Sequence, residues 1–345
     1  MHNKQLNVGI IGYGKMGRLR ESAVEKRNFA KVISIYDPNN EAIESVKYKD
    51  SAESIIHDKS IDVIFICTPN YKNFPLTKMA LGLGKHVFCE KPPTFTANEM
   101  REIRQVESVS GKKLMYGFNH RHHESIIKMK EMVDSKHYGR ILWMRGRYGK
   151  SVDTSFYSTW RSQKKYSGGG ILMDQGIHMV DLFLHLAGQF DESKSYLSNL
   201  YWQGDVEDNA FVTLRNTKTG VLASLHSTMT QWRHLFSLEV FLEKGYMVLN
   251  GLKTSSGTYG DETLTVAKSR STAPAATWED ESHYAFHVDN SWDYEVEHFF
   301  NAIANNKPIE TGCSKDALEL MTLLDEIYKE PILNVSSPSS EDLCR

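Results

Sequence analysis

Four cysteines in 345 residues, none of them in a C-x-x-C pair, leave no disulfide framework and no paired-thiol zinc site to build on. Cys67 and Cys89 sit in strand-like apolar runs; with Cys313 and Cys344 they read as reduced thiols, which points to a cytoplasmic protein. Long apolar runs are missing too: no stretch approaches the ~18 residues a membrane span takes. The opening "MHNKQLNVGIIGYG" reads as strand from about Leu6 rather than as a signal peptide. A dominant charge is also absent. Lys and Arg total 41 against 43 Asp and Glu, and the net charge of −2 excludes a broad basic field for nucleic acid. No internal repeat is visible. What remains is an ordinary globular composition, 40% hydrophobic and 24% charged, in a chain longer than one core usually serves, so two domains are expected.

The first ~120 residues alternate strand and helix patterns, the grammar of βαβ units and a doubly wound parallel sheet. "LNVGII" (6–11), "KVISIY" (31–36), "IDVIFIC" (61–67), "HVFCE" (86–90) and "KLMYGFN" (113–119) are the strands. Met16, Leu19, Ala23 and Val24 recur at helical spacing. Pro75 and Gly84 bracket another helix, and Thr96 with Glu99 forms a capping box for one that stops near Gly111. Then the pattern changes. "RILWMRGRYG" (140–149), "NAFVTLRN" (209–216), "GVLASLHSTM" (220–229) and "FSLEVFLEKGYMVLNG" (236–251) are strands with short connections, an antiparallel sheet with one covered face. Phe236, Leu238, Val240 and Leu242 alternate with polar residues, though Phe241 breaks the pattern. The Ser, Thr and Gly-rich run 252–290 reads as long loops or ragged hairpins. Two helices close the chain, one burying Trp292, Val296, Phe299, Phe300 and Ile303, the other Leu318, Met321, Leu324 and Ile327. The expected organisation is a dinucleotide-binding Rossmann domain over 1–121, an α/β domain with an open, mostly antiparallel sheet for substrate and oligomer contacts over 122–335, and a disordered tail over 336–345.

"GIIGYGKMG" holds Gly12-x-Gly14-x-x-Gly17. It follows a strand, opens a helix, and is followed by Asp37 at the end of the second strand, the full context of the dinucleotide fingerprint. Gly12 permits the tight turn, Gly14 lets the pyrophosphate approach, and Gly17 lets helix and strand pack. Tyr13, Lys15 and Met16 lie in the same loop and helix start, whose free N–H groups suit phosphate. Asp37 can accept from a ribose diol and would repel a 2′-phosphate, and Pro38-Asn39-Asn40 brings no arginine, so NAD is favoured over NADP. Thr68, Pro69 and Asn70 follow a strand at the carboxyl edge where ligands bind such sheets; a plain turn explains them equally well.

"CEKPPT" sets Glu90 and Lys91 at the carboxyl end of a parallel strand. Spacing alone makes them a surface pair; a lysine there can also point at a nicotinamide. "GGGILMDQGIHMVDL" (168–182) says more. On an α-helix Asp174, His178, Asp181 and His185 fall at i, i+4, i+7 and i+11 and share a face. Three glycines before them suggest backbone lying close to cofactor or substrate. Removing hydride from an alcohol calls for a base near working pH, which His178 suits, an ammonium to stabilise developing alkoxide, and a carboxylate to orient a hydroxyl or the imidazole.

These motifs, "GIIGYGKMG", "IDVIFICTPN", "GKHVFCEKPPT" and "GGGILMDQGIHMVDL", in this order and spacing along essentially the whole chain, resemble the Gfo/Idh/MocA family, named for glucose–fructose oxidoreductase, inositol dehydrogenase and rhizopine catabolism. The resemblance implies an NAD(P)-dependent oxidoreductase acting on CH–OH groups, with an N-terminal Rossmann domain and a C-terminal α/β domain. It implies that Lys91 is the motif lysine near nicotinamide and the reacting hydroxyl, that His178 is the proton acceptor, and that Asp174 binds or orients substrate. It also implies a homodimer or homotetramer formed through the outer sheet face. One departure stands out: the family's TPN-x-x-H reads "TPNYKN" here, with Asn73 in place of histidine, which removes a secondary contact. "GFNHRHHES" (117–125) is unusually rich in histidine; a zinc site is conceivable, but domain-crossover residues are the reading adopted, with Asn119 near cofactor, Arg121 near substrate, and no metal.

Before the glycine run, "FYSTWRSQKKY" packs Phe156, Tyr157, Trp160, Arg161, Lys164, Lys165 and Tyr166 together. Aromatic faces stack on sugars or bases, and Arg and Lys take phosphate or carboxylate. A solvated loop with a buried Trp explains them as well. The expectation is therefore a small-molecule carbohydrate substrate, contacted by Lys91, Arg121, Tyr157, Trp160, Arg161, Lys165, Asp174 and His178, phosphorylated or nucleotide-linked. The rival readings are an inositol 2-dehydrogenase on neutral inositol, a glycosidase working by transient oxidation on retained NAD, and a non-catalytic NAD-sensing regulator. No nucleic acid or membrane partner is expected.

Overall fold

The computed structural model describes residues 5–39, 47–269, 274 and 276–334. Asn40, Cys344 and the tail expected over 336–345 lie outside them. The chain divides into two compact units, Met1–Ile127 with Asp289–Thr322, and Lys128–Val288 with the chain from Leu323 onward.

In the first unit, strands β1 (Leu6–Ile11), β2 (Ala30–Tyr36), β3 (Val63–Ile66), β4 (His86–Glu90) and β5 (Leu114–Gly117) form a parallel sheet in the order β2-β1-β3-β4-β5. Order reverses at β1 and β3, the switch point of a Rossmann sheet. β3 is buried along its whole length, as a strand covered on both faces must be. Helices α1 (Lys15–Glu25), α2 (Ala52–His57), α3 (Asn73–Gly82) and α4 (Ala97–Ser110) connect the strands. The Thr96–Glu99 capping box is made in full, and Gly111 closes α4 with φ +63°. After β5 a short 3₁₀ turn leads into α5 (Glu124–Asp134).

The expected single crossing at 121/122 is not how the units divide. The chain returns to the first unit with α8 (Ser291–Ala304), whose Val296, Phe299 and Phe300 enter one core with Val8, Ile10, Val32, Val63, Phe65 and Phe88. Phe65 stacks on Phe88 at 4.9 Å, and Phe299 meets both edge-on. Burial of the apolar face of α8 in this core sets the boundary.

The second unit is built on a nine-stranded sheet. Its strands are β6 (Ile141–Ser151), β7 (Glu192–Asn199), β8 (Asn209–Arg215), β9 (Leu222–Thr228), β10 (Thr230–Leu242), β11 (Gly245–Asn250), β12 (Glu262–Lys268), β13 (Ser282–Phe286) and β14 (Ile332–Asn334), in the order β13-β12-β11-β10-β6-β9-β8-β7-β14. Only β6·β9 and β7·β14 pair parallel. The run 252–290 is therefore not just loops: β12 and β13 extend the sheet, and β7 was also hidden by its serines. Phe241 breaks the alternation because it packs on the other face, stacked on Trp143 at 4.0 Å and on Tyr246 at 5.2 Å. Against β6 and β9 lies α7 (Ile177–Ala187), preceded by the short α6 (Lys164–Ser167), and α9 (Ser314–Ile327) runs across the division of the units. Among the described residues no helix is long and apolar enough to cross a membrane.

Candidate active site

In the first unit the fingerprint loop follows β1. Gly12 has φ +89°, and a Cβ there would come 2.4 Å from the Cys67 carbonyl oxygen; a Cβ on Gly17 would come 2.2 Å from the Gly12 carbonyl oxygen. Gly14 differs: nothing lies within 4 Å of where its Cβ would be, so this is an open cradle rather than a packing contact. Gly14 is also the N-cap of α1, and no side chain caps it, which leaves the first-turn N–H groups of Lys15, Met16 and Gly17 to a ligand. Asp37, just past β2, accepts from the Tyr13 amide at 2.7 Å and the Asn39 amide at 2.9 Å, which fixes its carboxylate at the loop's edge. An open glycine, an uncapped helix start and a fixed acid fit a dinucleotide's pyrophosphate and ribose. The Tyr13 phenol is turned to Glu21, whose carboxylate together with burial pushes it up to about 12.

Lys91 follows β4 at half exposure, and its bond to Pro92 is cis. Glu90, expected from the sequence at the cofactor, has its carboxylate engaged by an internal partner. Its carboxylate takes Nε and Nη2 of Arg20 at 2.8 and 2.7 Å, while Nη1 of Arg20 meets Glu295 at 2.7 Å. Arg20 is fully buried, flat on Phe88 and Trp292. A Cβ on Gly117 would come 2.9 Å from Glu90 Oε2, so glycine there makes room for this network. Burial pushes Glu295 up to about 7 against the pull of Arg20. Nothing in the sequence pattern marked Arg20; it lies one residue from the expected apolar Leu19.

Thr68 and Pro69 are half-buried and Asn70 is buried at the end of β3, and the Thr68 hydroxyl donates to Asn73 Oδ1 at 3.1 Å. The histidine-rich segment is an internal connector of the first unit. Asn119 donates to Ser291 Oγ at 3.1 Å, and Arg121 Nη1 meets Asp316 at 2.7 Å and Thr311 at 3.1 Å. Both stitch the returning chain to the Rossmann sheet. Among the described residues no group of three or more His, Cys, Asp or Glu could hold a metal ion.

In the second unit Leu172–Gly176 is a π-helical turn, closed by the Ile177 amide on the Leu172 carbonyl, which runs into α7. The wider turn shifts Asp174 out of the α-helical register that its spacing suggested. Asp181 is fully buried and His178 nearly so, whereas Asp174 and His185 are half-buried, so the four do not form one open face. Two of the glycines answer to packing inside the protein. A Cβ on Gly170 would come 2.0 Å from the Glu207 carbonyl oxygen, and one on Gly169 would come 2.3 Å from the Tyr328 hydroxyl. Glu207, which no motif flagged, is fully buried; its carboxylate accepts from the amides of Gly170 (2.8 Å) and Leu172 (3.1 Å) and from the Tyr328 hydroxyl (2.8 Å).

Asp174 sits between two cations, Lys150 Nζ at 3.4 Å and Arg161 Nε at 3.6 Å. Lys150 was missed because the strand was read as ending at Gly149, yet its two-residue period with Tyr148 puts it on the covered face. Arg161 stacks on Trp160 at 4.4 Å, Lys165 is exposed over Tyr166, and the Tyr157 hydroxyl donates to the Trp202 carbonyl. The Tyr148 ring lies 6.3 Å from the His178 ring and 5.5 Å from Tyr259, its hydrogen-bond partner. Burial, with Tyr259 and Asp174 close by, holds the Tyr148 phenol well above its ordinary range, and burial beside Lys150 pushes His234 down. One aromatic wall, one imidazole and one carboxylate flanked by cations can order hydroxyls and take up a proton.

Fold and geometry together describe a dinucleotide-binding unit and an open-sheet unit carrying acid–base groups. The NAD-binding Rossmann fold of the oxidoreductase family matches residues 6–118, and the GFO/IDH/MocA C-terminal domain matches 126–248. The chain belongs to the Gfo/Idh/MocA oxidoreductases. It is 32% identical to a levoglucosan dehydrogenase of Pseudarthrobacter phenanthrenivorans over 214 residues, 56% of this chain and 54% of that relative, so the match spans about half of the relative's length. To the uncharacterised oxidoreductase YrbE of Bacillus subtilis it is 27% identical, over 90% of this chain and 89% of the other. A solved levoglucosan dehydrogenase in complex with NADH and levoglucosan shares the fold with a TM-score of 0.81 at 24% identity, covering 94% of this chain and 97% of that one.

Proposed function

We propose that this chain is an NAD-dependent dehydrogenase that oxidises a secondary hydroxyl of a sugar, sugar derivative or cyclitol to a ketone. The observation that carries the reading is the corner around Asp174: a carboxylate held by Lys150 and Arg161, with a nearly buried His178 beside the Tyr148 ring. The α1 N-terminus and Gly14 would hold the pyrophosphate and Asp37 the adenosine ribose. Bound there, NAD supplies the hydride acceptor. Lys91 offers an ammonium to the oxygen that becomes negative, His178 takes the hydroxyl proton on a ring nitrogen, and Asp174 orients a neighbouring hydroxyl.

Two cations face one carboxylate at Asp174, and Lys165 adds a third positive charge on the same segment as Arg161. That excess supports a sugar carrying phosphate or another anion over neutral inositol, with Tyr157 and Trp160 as stacking faces. The test is a 340 nm screen with NAD against levoglucosan, methyl β-glucoside, glucose 6-phosphate, a nucleotide sugar and myo-inositol. If myo-inositol turns over as well as every anionic sugar, the anionic preference is wrong. For the roles, Lys91→Met and His178→Asn each lower kcat by ~10² or more while the NADH Kd stays within about twofold. Near-normal turnover in both variants overturns the assignment.

A further inference from the structure

Asn73 occupies the position that the sequence comparison marks as a lost contact, yet it is fully buried and makes three hydrogen bonds. Its Nδ2 donates to the carbonyl of Glu90 at 3.0 Å and to that of Pro92 at 2.8 Å, and its Oδ1 accepts from Thr68 Oγ1 at 3.1 Å. We propose that Asn73 is the positioning residue of Lys91: a single amide that clamps the backbone on both sides of the lysine and so fixes where its ammonium is presented. This rests on the role given to Lys91 above.

The bonded carbonyls belong to the peptide unit entering Lys91 and to the one leaving Pro92. Between them, the pyrrolidine ring already fixes φ of Pro92, and a residue before proline is itself restricted. Holding the two outer peptide planes removes most of the freedom that is left, and with it the swing of the Cα–Cβ bond of Lys91. Glu90 is doubly tied, its side chain to Arg20 and its carbonyl to Asn73. The third bond links this clamp to the loop after β3, at the carboxyl edge where the cofactor is expected.

Packing of α3 on β4 does not depend on the amide. Leu76, Thr77, Ala80 and Leu81 on the same helix are buried. Loss of Asn73 therefore loosens the loop more than it loosens the elements. A misplacement of about 1 Å at a reacting group costs on the order of 10² in rate, whereas binding contacts elsewhere are untouched.

The experiment uses the full chain as wild type, Asn73→Ala, Asn73→Ser, Lys91→Met and the Asn73→Ala/Lys91→Met double variant, with NAD and whichever sugar of the screen above turns over fastest. Asn73→Ala lowers kcat at least about tenfold with sugar KM and NADH Kd little changed, while Tm falls because two buried carbonyls lose their donor. Asn73→Ser, which keeps one donor, falls between and stands in if the alanine variant does not fold. Adding Asn73→Ala to Lys91→Met costs nothing further; an equal fractional loss in both backgrounds overturns the proposal. A readout free of substrate separates this from the role of Lys91. After reductive ¹³C-methylation, the Lys91 resonance, assigned by its absence in Lys91→Met, shifts and broadens in the Asn73 variants. A resonance that stays put overturns the clamp whatever the activity. One that moves while Lys91→Met turns over normally upholds the clamp and removes the catalytic role of the lysine.

Discussion

Glu207 should be costly to remove from the second unit. Glu207→Ala orphans the amides of Gly170 and Leu172 and the Tyr328 hydroxyl. Each buried unsatisfied group costs about 1–3 kcal/mol. Part of the loss is returned, because the same burial raises the carboxyl's range and makes its charge expensive to keep. The balance is about 3 kcal/mol of unfolding free energy. Glu207→Gln keeps one acceptor but turns an N–H₂ toward a second donor, and should cost about 1–2 kcal/mol; Tyr328→Phe removes one bond of three and should cost about 1 kcal/mol. The assays are urea unfolding followed by tryptophan fluorescence, and hydrogen exchange at the Gly170 and Leu172 amides, which should both lose protection in Glu207→Ala, lose it at one amide in Glu207→Gln, and keep it in Tyr328→Phe. A Glu207→Gln protein as stable as wild type, with both amides still protected, would show that the turn carrying Asp174 is held by something else.

The two ends of the glycine argument separate cleanly. Gly14→Ala meets no atom, so Tm should hold while the NADH Kd, read by fluorescence titration, rises about tenfold or more as the pyrophosphate is held off; Gly170→Ala meets backbone and should instead fail on stability, seen as a lower Tm with unchanged NADH affinity in whatever folds. Glu295 sets a pH slope. Its raised acid range, from 4.5 to about 7, means the folded protein keeps a proton that the unfolded chain releases, so this contribution is full below about pH 4.5 and is lost as pH rises through 7. The size is on the order of 3 kcal/mol. His86, pushed down to about 4 by burial and by Lys112 and Lys113, contributes the opposite slope, present above 6.5 and lost as pH falls through 4. The difference between wild type and Glu295→Gln isolates the first: urea midpoints at pH 5 and 8 that move in parallel for the two proteins would refute it.

The strands of the first unit were legible because apolar runs, glycine turns and a capping box all pointed one way there. β7, β12 and β13 were not, because β7 carries serines at alternate positions, β12 is framed by charged residues and β13 is almost wholly exposed, so none shows a clear apolar run. The return of α8 was invisible for a different reason: a buried face says that a helix packs, not on what. The candidate site could be proposed where chemistry requires a residue type, at Gly14, Asp37, Lys91, Asp174 and His178. Sequence could not show the partners those neighbourhoods hold: Glu90 and Arg121 read as ligand contacts, and the structure gives each an internal ion pair, with Arg20 and Asp316. The π turn could not be anticipated either, since nothing in "ILMDQGI" distinguishes five residues per hydrogen-bonded turn from four.

A common logic joins the two elements that carry the proposed chemistry. Each is a short irregular segment, a proline loop at Lys91 and a π turn at Asp174, and neither has a regular ladder to hold it. Each is tied down by one buried polar side chain that bonds only backbone and one hydroxyl: Asn73 to two carbonyls and Thr68, Glu207 to two amides and Tyr328. The choice of anchor follows from what the segment leaves unpaired. A strand end exposes carbonyls, which call for an amide donor; a helix start exposes N–H groups, which call for a carboxylate. The anchors lie 17 to 37 residues from what they hold. A motif search finds the groups that would touch substrate and passes over the groups that aim them. Substitutions at Asn73 should therefore show in turnover and in the order of the Lys91 loop, and those at Glu207 in stability and in the protection of the turn that carries Asp174.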